Sequence, residues 1–269
     1  MLYNKLKPSA AFLPYVNSYF FWEDSTPRTV PFEAESPPNG YTAFVFNYGD
    51  PYEVHQPEGV YKTSPAFVAG QATSSYRLVL PGNIAMAGIV FKPAAINSIF
   101  GFSIRHMKNR RIDLESLLGP EILTIPEQLA EAAGLEEKKG VLEEFLMHQL
   151  NTRNVKMNFV DEAVELMIQH KGRINIQELA DQLHVCKRHF QRSFLQKVGL
   201  NPKEYAVLLR LGNVCNLLIH QQEINWHDVI LDAGYYDQAH FIKDFSSFIG
   251  RNPSVYYKFN KELLSQLNR

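Results

Sequence analysis

Apolar positions change their spacing once along this chain. In the first half they come in short, dense runs at residues 42–48 (TAFVFNY), 75–80 (SYRLVL) and 86–91 (MAGIVF), each bounded by Gly, Pro or Asn. Aromatic and β-branched runs with that punctuation predict strands. Short strands at such spacing point to a barrel or a sandwich. Residues 93–100 read as a short helix with proline at its start. Residues 129–150 set Leu135, Leu142, Phe145, Leu146 and Leu150 among charges, a helical period interrupted by Gly134 and Gly140. From Asn158 onward every apolar pattern is helical. The polar stretch 151–157 divides the two regimes. The expected organisation is therefore a β-rich domain at 1–153 with a C-terminal linker helix, then an all-α domain at 154–269.

The helical half repeats itself. Phe190, Phe194, Gly199, Asn201, Pro202 and Tyr205 recur as Phe241, Phe245, Gly250, Asn252, Pro253 and Tyr256, at a constant offset of 51 residues. Each pair of Phe at i, i+4 makes one apolar helix face. The Gly that follows supplies a helix stop where φ is positive. Asn-Pro then opens another helix, with Asn as cap and Pro in the first turn. Ahead of each copy lies a second short helix, at 176–183 turning at His184 and at 226–233 turning at Gly234. Helix, tight turn and helix is a pattern whose second helix fits the major groove of DNA. Residues 208–220 read as a helix joining the two units. A helical solenoid usually needs three or more repeats, and only two are present.

Charge first argues against a nucleic-acid partner. The 269 residues hold 27 Lys+Arg and 28 Asp+Glu, a net charge of −1, where a basic binding domain is expected. Dividing the chain changes that picture: residues 1–153 carry 13 basic and 16 acidic groups, residues 154–269 carry 14 and 12. Much of the excess gathers at 186–197, where Lys187, Arg188, Arg192 and Lys197 occur with no acid.

Other chemistry is sparse. Cys186 and Cys215 form no CxxC pair, which excludes a disulfide framework and a cysteine zinc site. A reduced, cytoplasmic setting is expected, with no apolar signal segment and no run long enough to cross a membrane. His55, His106 and His148 are too dispersed for a metal-binding cupin, and no GxSxG, P-loop or GxGxxG occurs in a fitting context. No enzyme, metal or cofactor is expected. Cys186, at a helix start, reads as a buried small cap residue or as a thiol with redox sensitivity.

At the repeated residues the chain resembles the AraC/XylS family of bacterial transcription regulators. The second-unit signature of that family is matched by Gly234-Tyr235-Tyr236-Asp237-Gln238-Ala239-His240-Phe241-Ile242-Lys243-Asp244-Phe245, then Gly250, Asn252-Pro253 and Tyr256. The first unit matches through Leu179-Ala180, Phe190, Arg192, Phe194, Gly199, Pro202 and Tyr205, then Arg210-Leu211. Departures are Ile230 for a small residue, Cys186 and Ala239 for hydroxyl residues, and Lys243 beside Asp244 for an Arg. The N-terminal half is similar, more loosely, to a sensor-like domain placed ahead of such regulators. That likeness rests on Leu13-Pro14-Tyr15-Val16, Tyr19 to Glu23, Phe44 to Tyr52, Phe67 to Gly70 and Gly88 to Pro93.

The resemblance implies an α+β chain: a cupin-like β-barrel with helices, followed by two helix-turn-helix units joined by a long helix. It implies double-stranded promoter DNA as partner, with RNA polymerase added for an activator. It also implies a small-molecule effector, a homodimer, or both. Matched positions make Lys187, Arg188, Gln191 and Arg192 the contacts of the first recognition helix. Arg suits guanine O6/N7 and Gln suits adenine N6/N7. Gln238, His240 and Lys243 are their counterparts in the second, where Asp237 reads as a cap and Asp244 opposes phosphate. The first unit should dominate affinity, and the two should address grooves about 34 Å apart. Trp22, Phe44, Phe46 and Phe91, with Tyr19, Phe21 and Phe67, are effector-pocket candidates or plain core. Arg77, Lys92 and Arg105 are the nearby ionic groups. The helix at 135–150 is a dimer helix or a strut on its own domain. The alternative function is an interaction or ligand-binding module with weak or lost DNA binding, suggested by the acidic second helix.

Overall fold

The computed structural model describes residues 2–57, 59–220 and 223–258. Ten strands fill the first half: β1 (Leu2–Leu6), β2 (Val16–Asp24), β3 (Phe32–Ser36), β4 (Thr42–Asn47), β5 (Glu53–Gln56), β6 (Gly59–Lys62), β7 (Ala66–Ala69), β8 (Tyr76–Leu80), β9 (Ile84–Phe91) and β10 (Arg111–Asp113). They form two antiparallel sheets, a six-stranded one ordered β1-β2-β9-β4-β7-β10 and a four-stranded one ordered β3-β8-β5-β6. The strands expected at 42–48, 75–80 and 86–91 correspond to β4, β8 and β9.

The large sheet is apolar on both faces, because each face has something to cover it. Successive residues of a strand point to opposite faces. Phe44 and Phe46 therefore join Tyr19, Phe21, Ile89 and Phe91 on the outer face. There they pack under α1 (Ala95–Phe100), α2 (Leu114–Leu118), α3 (Thr124–Glu131) and α4 (Leu135–Thr152). Val45, Trp22, Phe67 and Met86 face inward against Val54 and Leu80 of the small sheet.

Two local expectations change. Pro93 lies ahead of the first helix, whose N-cap is Ala94. Gly140 does not interrupt α4; a side chain there would meet nothing within 4 Å. Gly134 is the break, as the N-cap of α4. The helix is a strut. Leu142 and Leu146 are buried in the domain's own core, and Phe145 stacks on Phe100. Lys138 reaches Glu23 on β2, and Ser9 bonds Glu143.

The second half is helical: α5 (Phe159–Gln169), α6 (Ile176–Gln182), α7 (Lys187–Val198), α8 (Pro202–His220), α9 (Trp226–Asp232) and α10 (Gln238–Ile249). The joining helix thus starts at Pro202 rather than at residue 208. The 3-4 spacing of Phe, Leu and Val buries one face of each helix in two cores, one per unit. The halves meet along α1 and the turn that follows it. Ala94 is buried in the first helical core. Lys92 pairs with Glu165 at 2.8 Å, Arg251 with Glu35 at 3.2 Å, and Lys108 with Glu204. Gly40, at φ +80°, lies so close to α8 that a Cβ would come 2.9 Å from Leu208.

Candidate nucleic-acid interface

Both helical units are built by one local recipe. Asn175 caps α6, accepting from the Gln177 backbone at 2.8 Å, and Asn225 caps α9, accepting from His227 at 3.1 Å. Each of these short helices stops on a residue with positive φ, His184 at 56° and Gly234 at 74°. The turns share their bonds: Val185 N–H donates to Ala180 O at 3.0 Å, and Tyr235 N–H to Ile230 O at 3.1 Å. Ile230 thus takes its position in the turn despite its bulk.

The second helix of each unit is fixed by buried rings. Phe190, Phe194 and Val198 are buried on α7; Phe241, Phe245 and Ile249 are their partners on α10. Burying that stripe turns the opposite face outward. Lys187, Arg188, Gln191 and Arg192 are all exposed on α7. His189 lies beside them, its ring 5.3 Å from Phe159 and its Nδ1 3.5 Å from the Arg192 guanidinium. Gln238, His240 and Lys243 are exposed on α10. The α7 set lies within one arc of its helix, whereas on α10 Gln238, in the first turn, points away from His240 and Lys243.

The fourth cation of α7 lies outside that arc. Lys197 is 3% exposed and forms an ion pair with Asp161, itself 8% exposed. Lys197 also donates to Lys156 O at 3.2 Å. Asp161 completes a capping box with Asn158 and accepts from the Ser98 hydroxyl of α1 at 2.7 Å. A charge read from sequence as part of the basic helix is thus spent tying α7 to α5 and to the first domain. The exposed charge of α7 is three cations plus His189.

The two acids of the second helix are also accounted for. Asp237 is its N-cap, accepting from the His240 backbone at 2.8 Å. Asp244 accepts from the Tyr235 hydroxyl at 3.1 Å and stands 3.5 Å from His240 Nε2. Burial, with Asp244 beside it, raises the Tyr235 hydroxyl above its ordinary value, so it stays a donor. Arg210 of α8 lies 4.8 Å above the Tyr235 ring and braces this turn from behind.

The aromatic candidates of the first half do not gather in one pocket. Phe44, Phe46 and Phe91 are fully buried under the helices, as are Tyr19 and Phe21. They face away from the space between the sheets because strand alternation puts them on the covered side. Arg77 is an exposed partner of Glu33 at 3.0 Å. Lys92 is held by Glu165 at the domain junction, and Arg105 is exposed. Trp22 and Phe67 do line a cavity of about 790 Å³ between the sheets. Its other walls include Val45, Tyr76, Leu78 and Met86, with Arg111 at one side and Leu209 and Gly212 of α8 across one end. Sequence gave no sign of Arg111, since β10 is three residues long and its neighbour β7 is distant in the chain.

Cys186 is exposed at the start of α7, and its side chain makes no cap hydrogen bond. Cys215 is buried, and burial pushes its thiol up to about 12. Among the described residues there is no cluster of three His, Cys, Asp or Glu able to hold a metal, and no helix long and apolar enough to cross a membrane.

A family model described as a helix-turn-helix domain matches residues 179–258, and a domain of unknown function (DUF6597) matches residues 4–113. Three curated relatives are named as HTH-type or operon regulators. The C-terminal domain is an AraC-type helix-turn-helix domain. One relative is an uncharacterized HTH-type transcriptional regulator of Haemophilus influenzae, 25% identical over 141 residues, 47% of each chain. The lactose operon transcription activator of Staphylococcus xylosus is 24% identical over 108 residues, 38% of each chain. The Msm operon regulatory protein of Streptococcus mutans is 23% identical over 126 residues, 46% of this chain and 44% of the relative. The match thus spans less than half the length of these relatives. Among solved structures, ToxT from Vibrio cholerae is similar with a TM-score of 0.48 and 11% identity, over 88% of this chain and 97% of that one. An AraC-type DNA-binding domain protein from Chromobacterium violaceum has a TM-score of 0.35 and 23% identity, over 38% of this chain and 91% of that one. The helix-turn-helix match at residues 179–258 takes in the repeat, both turns, α7 and α10.

Proposed function

We propose that this chain is a cytoplasmic, non-catalytic transcription regulator that binds promoter DNA sequence-specifically. Its N-terminal domain senses a small molecule, mediates dimerisation, or does both. RNA polymerase is a partner where the outcome is activation. The observation that carries the reading is the exposed set Arg188, Gln191 and Arg192 on a helix locked by fully buried Phe190 and Phe194. Arg and Gln are the side chains that make bidentate contacts to guanine and adenine in the major groove. Relatives named for control of operons support the same reading.

The first unit dominates affinity and the second adds register and specificity. Three exposed cations stand on α7, against Lys243 and His240 on α10. Asp244 is held by Tyr235, which weakens the alternative in which an acidic second helix has given up DNA. The test is binding of the full chain to fragments of the promoter upstream of its own coding sequence, over a range of salt. Specific binding gives a steep log–log salt slope. Arg192→Ala should cost about 1–3 kcal/mol of discrimination, and Lys243→Ala should cost less. A larger loss for Lys243→Ala overturns the ranking. No salt-dependent, sequence-selective binding overturns the regulator.

A further inference from the structure

The space between the sheets has the size and lining of a ligand site. At about 790 Å³ it falls within the ~300–1,000 Å³ typical of small-molecule pockets. Its walls are apolar side chains from both sheets, among them Phe20, Val45, Phe67, Leu78 and Met86. Such walls repel water and select an apolar body. Polar side chains also reach this lining, among them Lys5, Asn17, Glu33, Glu35, Thr42 and Asn213. Trp22 is 7% exposed, and its buried indole N–H has no hydrogen-bond partner.

Arg111 stands apart from the other polar groups of the lining. Its guanidinium carbon lies 4.4 Å from the centre of the Tyr76 ring, and the guanidinium donates to Gln56 Oε1 at 2.6 Å. The ring and one amide hold it, yet no carboxylate among the described residues neutralises it. The acids on the same lining are engaged elsewhere, Glu33 by Arg77 and Glu35 by Arg251. Lys5 lies on the rim. Cys215 adds no charge, since burial keeps its thiol neutral. A planar, pre-oriented guanidinium in a mostly apolar cavity is suited to one anionic group held by two parallel bonds.

We propose that this cavity binds a compact, largely apolar organic anion, such as an aromatic carboxylate, with Arg111 as its anchor; the proposal rests on the sensing role assigned above to the N-terminal domain. Leu209 and Gly212 of α8, the helix that joins the two DNA-reading units, form part of the cavity wall. An occupant therefore touches the spacer of the DNA-binding domain directly.

The test uses two probes with the same rings, anilinonaphthalene sulfonate and uncharged N-phenyl-1-naphthylamine, titrated into the full-length protein by fluorescence. Wild type should bind one of each per chain, the sulfonate about tenfold tighter, the scale of a charge-assisted hydrogen bond. Arg111→Met should abolish that preference and leave the uncharged probe unchanged. Arg111→Lys, which keeps the charge but not the fork, should retain part of it and serves if the Met variant does not fold. Equal affinity of wild type for the two probes, or an equal loss of both in the variants, overturns the anion assignment and leaves small-molecule sensing standing. Absence of saturable one-to-one binding by either probe overturns both.

Discussion

At the scale of single residues, what a side chain carries and where it points are separate facts. Lys187 and Lys197 are the same residue type on one helix, ten positions apart. One is exposed and the other is buried on Asp161. Removing one partner of a buried ion pair costs about 3–5 kcal/mol, because the other charge is left in a poor medium. Lys197→Met should therefore lower stability in urea by about that amount and leave the salt slope of DNA binding unchanged. Lys187→Met should change stability by less than about 0.5 kcal/mol and lower the salt slope by about one. Equal slopes losses in the two variants would place the Lys197 ammonium at DNA and break the assignment. The repeat, the caps Asn201, Asn252 and Asp237, and the turns at His184 and Gly234 were legible in sequence, because each is decided within a few residues. The burial of Lys197 was not. Its partner lies 36 positions away and owes its own place to Ser98 of the other domain.

At the scale of elements, the strands show a second limit. A run such as TAFVFN is apolar on both faces, so its sequence does not say which face meets helices and which meets the other sheet. That is why Phe44 and Phe46 read as pocket candidates and are core, whereas Arg111 and Leu78 were passed over. The strut α4 makes the covering of that outer face testable. It is fastened where Lys138, buried at 8% exposure, and the Tyr48 hydroxyl both donate to Glu23. Burial pushes the Glu23 carboxyl up, but the two donors outweigh it and the net shift is downward. A carboxyl lowered by folding contributes stability above its unfolded value and loses it as pH falls through the folded one. Thermal stability should accordingly decline below the ordinary carboxylate value of 4.5, and Glu23→Gln should flatten that decline. An unchanged acid limb in Glu23→Gln would show that the strut is held by its leucines alone.

At the scale of the whole molecule, the two halves are packed together at the end of the first recognition helix. Two glycines report on this. Gly199 ends α7 at φ +87° and Gly250 ends α10 at φ +78°. Alanine at either should cost about 1–2 kcal/mol for the left-handed backbone alone. At Gly250 the new Cβ meets nothing within 4 Å; at Gly199 it comes 2.9 Å from Ile104 O of the first domain. Gly199→Ala should therefore destabilise clearly more than Gly250→Ala in equilibrium unfolding. It should also loosen the contact between halves, read as faster proteolysis near residues 153–158. Matching losses at the two sites would mean that the domain contact yields without cost.

One feature of the joining helix reaches further. The helix α8 both joins the two helix-turn-helix units and lends Leu209 and Gly212 to the wall of the cavity between the sheets. Binding at two places on one body obeys reciprocity: the factor by which an occupant changes affinity for DNA is the factor by which DNA changes affinity for the occupant. A promoter is then more than the target of such a molecule. With both proposed sites coupled, it acts on the first domain as an effector in its own right, and the occupancy of the cavity becomes a record of whether the chain is on or off its site.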